Sequence, residues 1–117
     1  MDNEEYRKKI ETRILEIMKE KLEKHQLDAP RAKQIAKYVL DSLHPHMTLN
    51  QIHDVVQNFD DHFSELVPIV QEVSREYDEK VNKAVADHTA LLLKKGMFNE
   101  ADILLKKAKN KEVKLSD

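Results

Sequence analysis

Histidine and carboxylate side chains are concentrated in the segment 44–62, and they are the residues of this chain best suited to chemistry. Imidazole together with carboxylate suits divalent metals such as zinc, nickel or iron. His53 and Asp60 are seven residues apart, which places them two turns apart on one side of a helix. The candidate metal ligands are His44, His46, His53, Asp54, Asp61 and His62.

The spacing of these side chains matches no specific metal-binding signature. The sequence contains no His-Glu-x-x-His motif, and no Glu-x-x-His motif of the kind that builds di-iron sites in helical bundles. The alternative interpretation is that these residues are solvated charges on helix faces and loops. We therefore assign no metal and no cofactor, and a metal- or pH-responsive helical protein stays an alternative function.

The sequence carries no pattern typical of an enzyme. It has no cysteine nucleophile, no glycine-rich phosphate loop, and no Ser-His-acid pattern that a fold would bring together. The paired carboxylates occur on helical segments, where they mainly provide solvated charge. We expect no catalytic residues and no enzymatic activity.

Charge is distributed unevenly along the chain. Residues 41–79 carry one arginine against nine acidic residues, a net charge of −8, whereas residues 80–117 carry nine lysines against five acidic residues, a net charge of +4. The lysine-rich end could contact phosphates, so an accessory nucleic-acid-binding protein is a further alternative. However, no aromatic residue follows Phe98 to stack on bases, and the third predicted helix has no lysine or arginine. We expect no nucleic-acid partner.

Length and composition predict a single all-helical domain. The 117 residues include 40% hydrophobic and 36% charged residues but only one glycine and three prolines, a mixture that favours helix over sheet. No apolar run approaches the length of a membrane span, and the first residues have no apolar core of a secretory signal. The absence of cysteine fits a reducing compartment, so we expect a cytoplasmic protein.

The predicted organising element is a long amphipathic helix over residues 66–95. Apolar residues recur along it at steps of three or four, which gives one apolar face. Lys94 and Lys95 suit its carboxyl end, and Gly96 can adopt the left-handed cap conformation. Including the preceding helix, the predicted core residues are Ile52, Val56, Phe59, Phe63, Val70, Val73, Tyr77, Val81, His88 and Leu91.

The complete prediction is an all-α, compact antiparallel bundle of four main helices with a short C-terminal helix. Thr48 and Gln51 form a capping box that starts the third helix. Pro68 is expected to kink the chain where the third helix joins the fourth. The predicted helices span residues 3–26, 30–43, 49–66, 68–95 and 98–110, followed by a flexible lysine-rich tail at 111–117.

The segment from Lys95 to Ala108 resembles the turn between the two helices of a tetratricopeptide repeat. The residues that carry the resemblance are Lys95-Gly96-Met97-Phe98-Asn99-Glu100-Ala101, with Leu105 and Ala108 further on. Upstream, Thr89 and His88 depart from the family pattern, and the chain has no second copy of the motif. We therefore take only the geometry from the resemblance, a tight antiparallel αα-hairpin, and do not carry over the family's peptide-binding groove.

By exclusion, these observations favour a small soluble helical module for protein–protein interaction or scaffolding, which self-associates through the long helix 66–95. The expected partner is another protein, including a second copy of this chain, with no membrane involved.

Overall fold

The computed structural model describes residues 2–115, and every regular element among them is helical, which confirms the all-α class. None of these helices is both long and apolar enough to cross a membrane. In chain order, the helices are α1 (Asn3–Glu23), α2 (Ala29–Ser42), α3 (Leu49–Val56), α4 (Phe59–His62), a 3-10 turn (Ser64–Leu66), α5 (Val67–Lys94) and α6 (Phe98–Lys109).

The chain divides into two compact units, Met1–Val73 and Ser74–Asp117, and the boundary between them falls inside α5. The first unit holds α1 to α4 and the start of α5, and the second holds the rest of α5 together with α6. The single helical domain expected over residues 1–117 stays a prediction.

Side-chain caps start the first three helices. Asp2 caps α1, and in α2 the Asp28 carboxylate accepts the Arg31 backbone N–H at 2.8 Å. At α3 the Thr48 hydroxyl accepts the Gln51 N–H at 3.2 Å, and the Gln51 side chain accepts the Thr48 N–H at 2.9 Å. The predicted capping box is therefore confirmed, and it satisfies two N–H groups that have no partner inside the helix.

The chain turns before Pro68, not at it. The helix expected over 49–66 ends at Val56, and α4, the extended residue Phe63 and the 3-10 turn precede α5. Pro68 is the second residue of α5, where a missing N–H costs nothing because first-turn N–H groups have no intrahelical partner. The predicted bend beside Pro68 is therefore present as a corner at residues 63–66, and the proline itself helps to start α5.

One hydrophobic core fills the first unit. Phe59, Ile35 and Ile52 are fully buried, and the corner at Phe63 returns Leu66 and Ile69 to the same core. This return explains why α3 is short: one straight helix would carry these later side chains away from the earlier ones. Of the predicted core residues in this unit, Phe63 is half-buried, and the others, which are buried, are Ile52, Val56, Phe59, Val70 and Val73.

A partly buried ionic network ties α1 to the loop before α3. The Arg7 guanidinium pairs with Glu4 at 2.9 Å and with Glu11 at 2.7 Å. The other Glu4 oxygen accepts the backbone N–H of His46 at 2.8 Å, although the two residues are 42 positions apart. This N–H and the Arg7 guanidinium together hold the pKa of Glu4 below its ordinary value.

A second charged contact joins α2 to the 3-10 turn. The Arg31 guanidinium donates two hydrogen bonds to the Glu65 carboxylate, at 2.9 and 3.1 Å. The same guanidinium lies 4.6 Å from the centre of the Phe63 ring. The hydrogen bonds from Arg31 lower the pKa of Glu65 despite its partial burial. This contact fixes the corner where the chain leaves α4 and enters α5.

Ile35→Ala and Leu40→Ala test the core on a single helix. Ile35 is 0% exposed, so removing three carbons should lower the free energy of unfolding by roughly 2–5 kcal/mol. Leu40 is 67% exposed, and the same truncation should change that energy by less than about 0.5 kcal/mol. Urea denaturation monitored by circular dichroism measures both, and equal losses would contradict the assigned core.

Glu65→Gln tests the contact at the corner through its pH dependence. A lowered folded-state pKa adds stability that is fully present above the unfolded value of 4.5 and is lost as the pH falls through the folded value. Wild type should therefore lose more stability than Glu65→Gln between pH 6 and pH 3. Melting temperatures across this range check it. Glu23→Gln, at an exposed residue without an ion pair in the described chain, is the matched control and should follow wild type.

Candidate interaction surface

The structure does not gather the candidate metal ligands into a site. The His53 ring nitrogen lies 3.2 Å from the carboxylate of its neighbour Asp54, and the His62 ring lies against Tyr38, with 4.7 Å between ring centres. Asp61 is exposed. Nowhere in residues 2–115 do three or more histidine, aspartate or glutamate side chains meet in a way that could hold a metal ion.

The two loop histidines are held by backbone contacts. The backbone N–H of His46 donates to Glu4, and the His44 ring lies 3.3 Å from the Pro45 carbonyl oxygen. His46 also has a left-handed backbone with a φ of 69°, an uncommon conformation for a residue other than glycine. These two residues shape the loop between α2 and α3.

Apolar side chains are instead exposed in the second unit. Its helical hairpin forms as the resemblance implied: α5 ends at Lys94, Gly96 adopts a φ of 76°, and α6 begins at Phe98. The Gly96 N–H donates to the Leu93 carbonyl at 3.0 Å, and the Met97 N–H donates to the Leu92 carbonyl at 2.8 Å. This bonding is the Schellman arrangement, which satisfies the last carbonyls of α5 and reverses the chain.

The buried face of α5 differs from the predicted one beyond Tyr77. Val81 is half-buried, Val85 and Thr89 are buried, and the predicted core residues His88 and Leu91 are exposed. After Val73 the residues on the buried face recur at steps of four, at Tyr77, Val81, Val85 and Thr89, and each step exceeds the 3.6 residues of one turn, so the buried face moves around α5 away from the predicted stripe. Placing His88 and Leu91 in the core is therefore wrong; they lie beside the buried face.

A groove of about 330 Å³ opens between α5 and α6. One wall comes from α5 and the other from α6. The lining residues are His88, Leu92, Glu100, Ile103, Leu104 and Lys107. The groove floor is apolar, whereas Glu100 and Lys107 place one charge of each sign on the α6 wall.

The segment after α6 packs against α5. Val113 and Leu115 are half-buried, and the Leu115 N–H donates to the Tyr77 hydroxyl at 3.3 Å. These residues line a second cavity of about 280 Å³ together with Val85 and Leu104. The flexible tail expected at 111–117 stays a prediction; residues 113 and 115 contact the hairpin, and Ser116 and Asp117 lie outside the described residues.

Two apolar triplets explain why the second unit exposes so much hydrophobic surface. Leu91-Leu92-Leu93 ends α5, and Ile103-Leu104-Leu105 lies within α6. Three consecutive helical residues spread over about 200° of the helix circumference, so they cannot all face one neighbouring helix. In each triplet the middle residue is half-buried and both flanking residues are exposed. The large apolar residues that are exposed in the described part of this unit are Leu91, Leu93, Met97, Phe98, Ile103 and Leu105.

Sequence reasoning missed this surface because it placed Leu91 in a core stripe and did not consider the apolar neighbours of Leu91 or the triplet in α6. The signal was present in the triplets, since consecutive apolar residues exceed what one helix face can bury. In the first unit, by comparison, the exposed residues Leu15, Leu22 and Leu40 are far from one another along the sequence. Single exposed leucines of this kind are ordinary for a protein surface.

Comparison with protein-family models, curated proteins and solved structures found no match to this chain.

Gly96→Val should lower the free energy of unfolding by at least about 1 kcal/mol, because a β-branched residue resists a positive φ. The added side chain would meet no atom within 4 Å, so the loss comes from backbone conformation and not from a clash.

His25→Gly tests the same backbone conformation by introducing a glycine instead of removing one. His25 ends α1 with the same bonding at a φ of 58°, and glycine there should add about 0.5–1 kcal/mol. Thermal denaturation measures both, and an unchanged melting temperature for Gly96→Val would contradict the assigned turn.

Proposed function

We propose that this protein is a protein–protein interaction module whose binding surface is the helical hairpin of α5 and α6. One observation carries the proposal: the two apolar triplets leave large hydrophobic side chains exposed along a segment of 15 residues, 91–105. Exposed apolar side chains on this scale mark binding sites when they adjoin a groove with a polar rim.

The packing of the second unit supports this function. Its buried side chains in the described chain are Tyr77, Val85, Thr89 and Ala101, and the Thr89 hydroxyl has no hydrogen-bond partner among the described residues. A hairpin with so few buried apolar groups gains stability when a partner covers its exposed face. The same partner would remove Leu91 and Ile103 from water, at about 25 cal/mol per Å² of apolar surface.

The groove suits an α-helix as its ligand. Helix-binding grooves take apolar anchors at helical spacing from an amphipathic partner, and charged residues at the rim set its direction. Leu92, Ile103 and Leu104 provide the apolar floor, and Glu100 and Lys107 provide the rim. Such a module acts as a scaffold in a reducing compartment such as the cytoplasm, which the cysteine-free sequence tolerates.

Capture experiments with matched variants test the proposal. Immobilised wild-type protein should retain partners from a native lysate or from a solution of itself, and Leu91→Gln or Ile103→Gln should weaken that retention by about tenfold, because each removes an exposed apolar anchor. Leu40→Gln, at an exposed leucine of the first unit, is the matched control and should retain wild-type binding. If all three variants bind like wild type, the hairpin is not the binding surface.

A further inference from the structure

The groove between α5 and α6 carries its charges in an order that complements itself. Glu100 and Lys107 line the same groove and are seven residues apart, which is two turns along one side of α6. The midpoint between them lies between Ile103 and Leu104, the two apolar residues that α6 contributes to the groove. When a second α6 runs antiparallel to the first, its lysine therefore lies opposite the glutamate, its glutamate lies opposite the lysine, and the apolar pairs face each other.

Neither rim charge has a partner within its own helix. The positions three and four residues beyond Glu100 are Ile103 and Leu104, and the same two residues lie four and three positions before Lys107. In residues 2–115 neither side chain forms an ion pair, whereas Asp102 and Lys106 on the same helix form one at 3.0 Å. Both rim charges are thus available to a partner.

We propose that the occupant of this groove is a second copy of the same chain, with the two α6 helices antiparallel across a two-fold axis beside Ile103 and Leu104. Under this symmetry each contact occurs twice, so Glu100 of each copy pairs with Lys107 of the other. Ile103 and Leu104 of the two copies meet at the centre. The inference rests on the proposed function of the hairpin and names its partner.

The charges favour a second copy over an unrelated partner. A groove for an acidic segment would carry a basic rim, and a groove for a basic segment would carry an acidic one. Here Glu100 and Lys107 lie at the same distance in sequence from the apolar centre. An antiparallel second copy therefore places a lysine opposite each glutamate. The apolar centre between charged ends also follows the usual anatomy of an interface.

Sedimentation velocity over a range of concentrations tests the pairing, with charge-reversed variants as the decisive arm. Glu100→Lys places two positive charges on the groove of every copy, and Lys107→Glu places two negative ones. Each variant alone should therefore self-associate at least about tenfold more weakly than wild type, because both symmetric contacts become repulsive. Mixed in equal amounts, the two variants should form a heterodimer with nearly the wild-type dissociation constant, and the double variant should associate like wild type.

Glu112→Lys and Lys109→Glu serve as controls, because they make the same charge changes at exposed positions outside the groove. Both should associate like wild type, and circular dichroism verifies that every variant keeps its helix content. The inference is overturned if wild type stays monomeric up to about 1 mM. It is also overturned if the single reversals associate like wild type, or if their mixture recovers no association. In each of these cases the hairpin can still bind other proteins, a function that fails only if Leu91→Gln and Ile103→Gln retain every captured partner.

Discussion

The burial of apolar side chains at the start of α5 is the interaction on which the rest of the structure depends. Ile69, Val70 and Val73 enter the core built by the earlier helices of the first unit. This packing requires the chain to turn sharply after α4, and the contact of Arg31 with Glu65 and Phe63 holds that turn. With its first turns fixed in a core, α5 continues over 28 residues, about 42 Å.

The second unit is held together mainly by local backbone bonding and only a small core. Its hairpin is defined by local backbone chemistry at Gly96 and by a few buried side chains, of which Ala101 is 2% exposed. Helical hairpins with so small a core leave apolar groups in water, and association with a partner is the usual way to cover them. Affinity would then depend on a few anchors such as Ile103 and on the order of charges at the rim, because buried area alone does not set affinity.

The histidine-rich segment shows why residue type and spacing are insufficient evidence for a metal site. Metal binding needs ligands that converge from several directions on one point. His53 pairs with the adjacent Asp54, His62 packs on Tyr38, and the backbone of His46 donates to Glu4. Each residue is occupied by a different neighbour, and the helix break after Val56 removes the regular spacing on which the hypothesis depended.

Local chemistry in the sequence was sufficient to predict the helical class, the capping box at Thr48, the hairpin turn at Gly96 and the buried face up to Tyr77. These features depend on residues within one or two turns of each other, so the sequence contains the complete interaction. The end of α3 at Val56, the role of Pro68 and the exposure of His88 and Leu91 were decided by tertiary packing. An apolar stripe shows which residues can be buried, but only the position of a neighbouring element decides which of them are. Beyond Tyr77 the buried residues of α5 recur at steps of four, so the buried face moves around the helix away from the stripe that the sequence predicts.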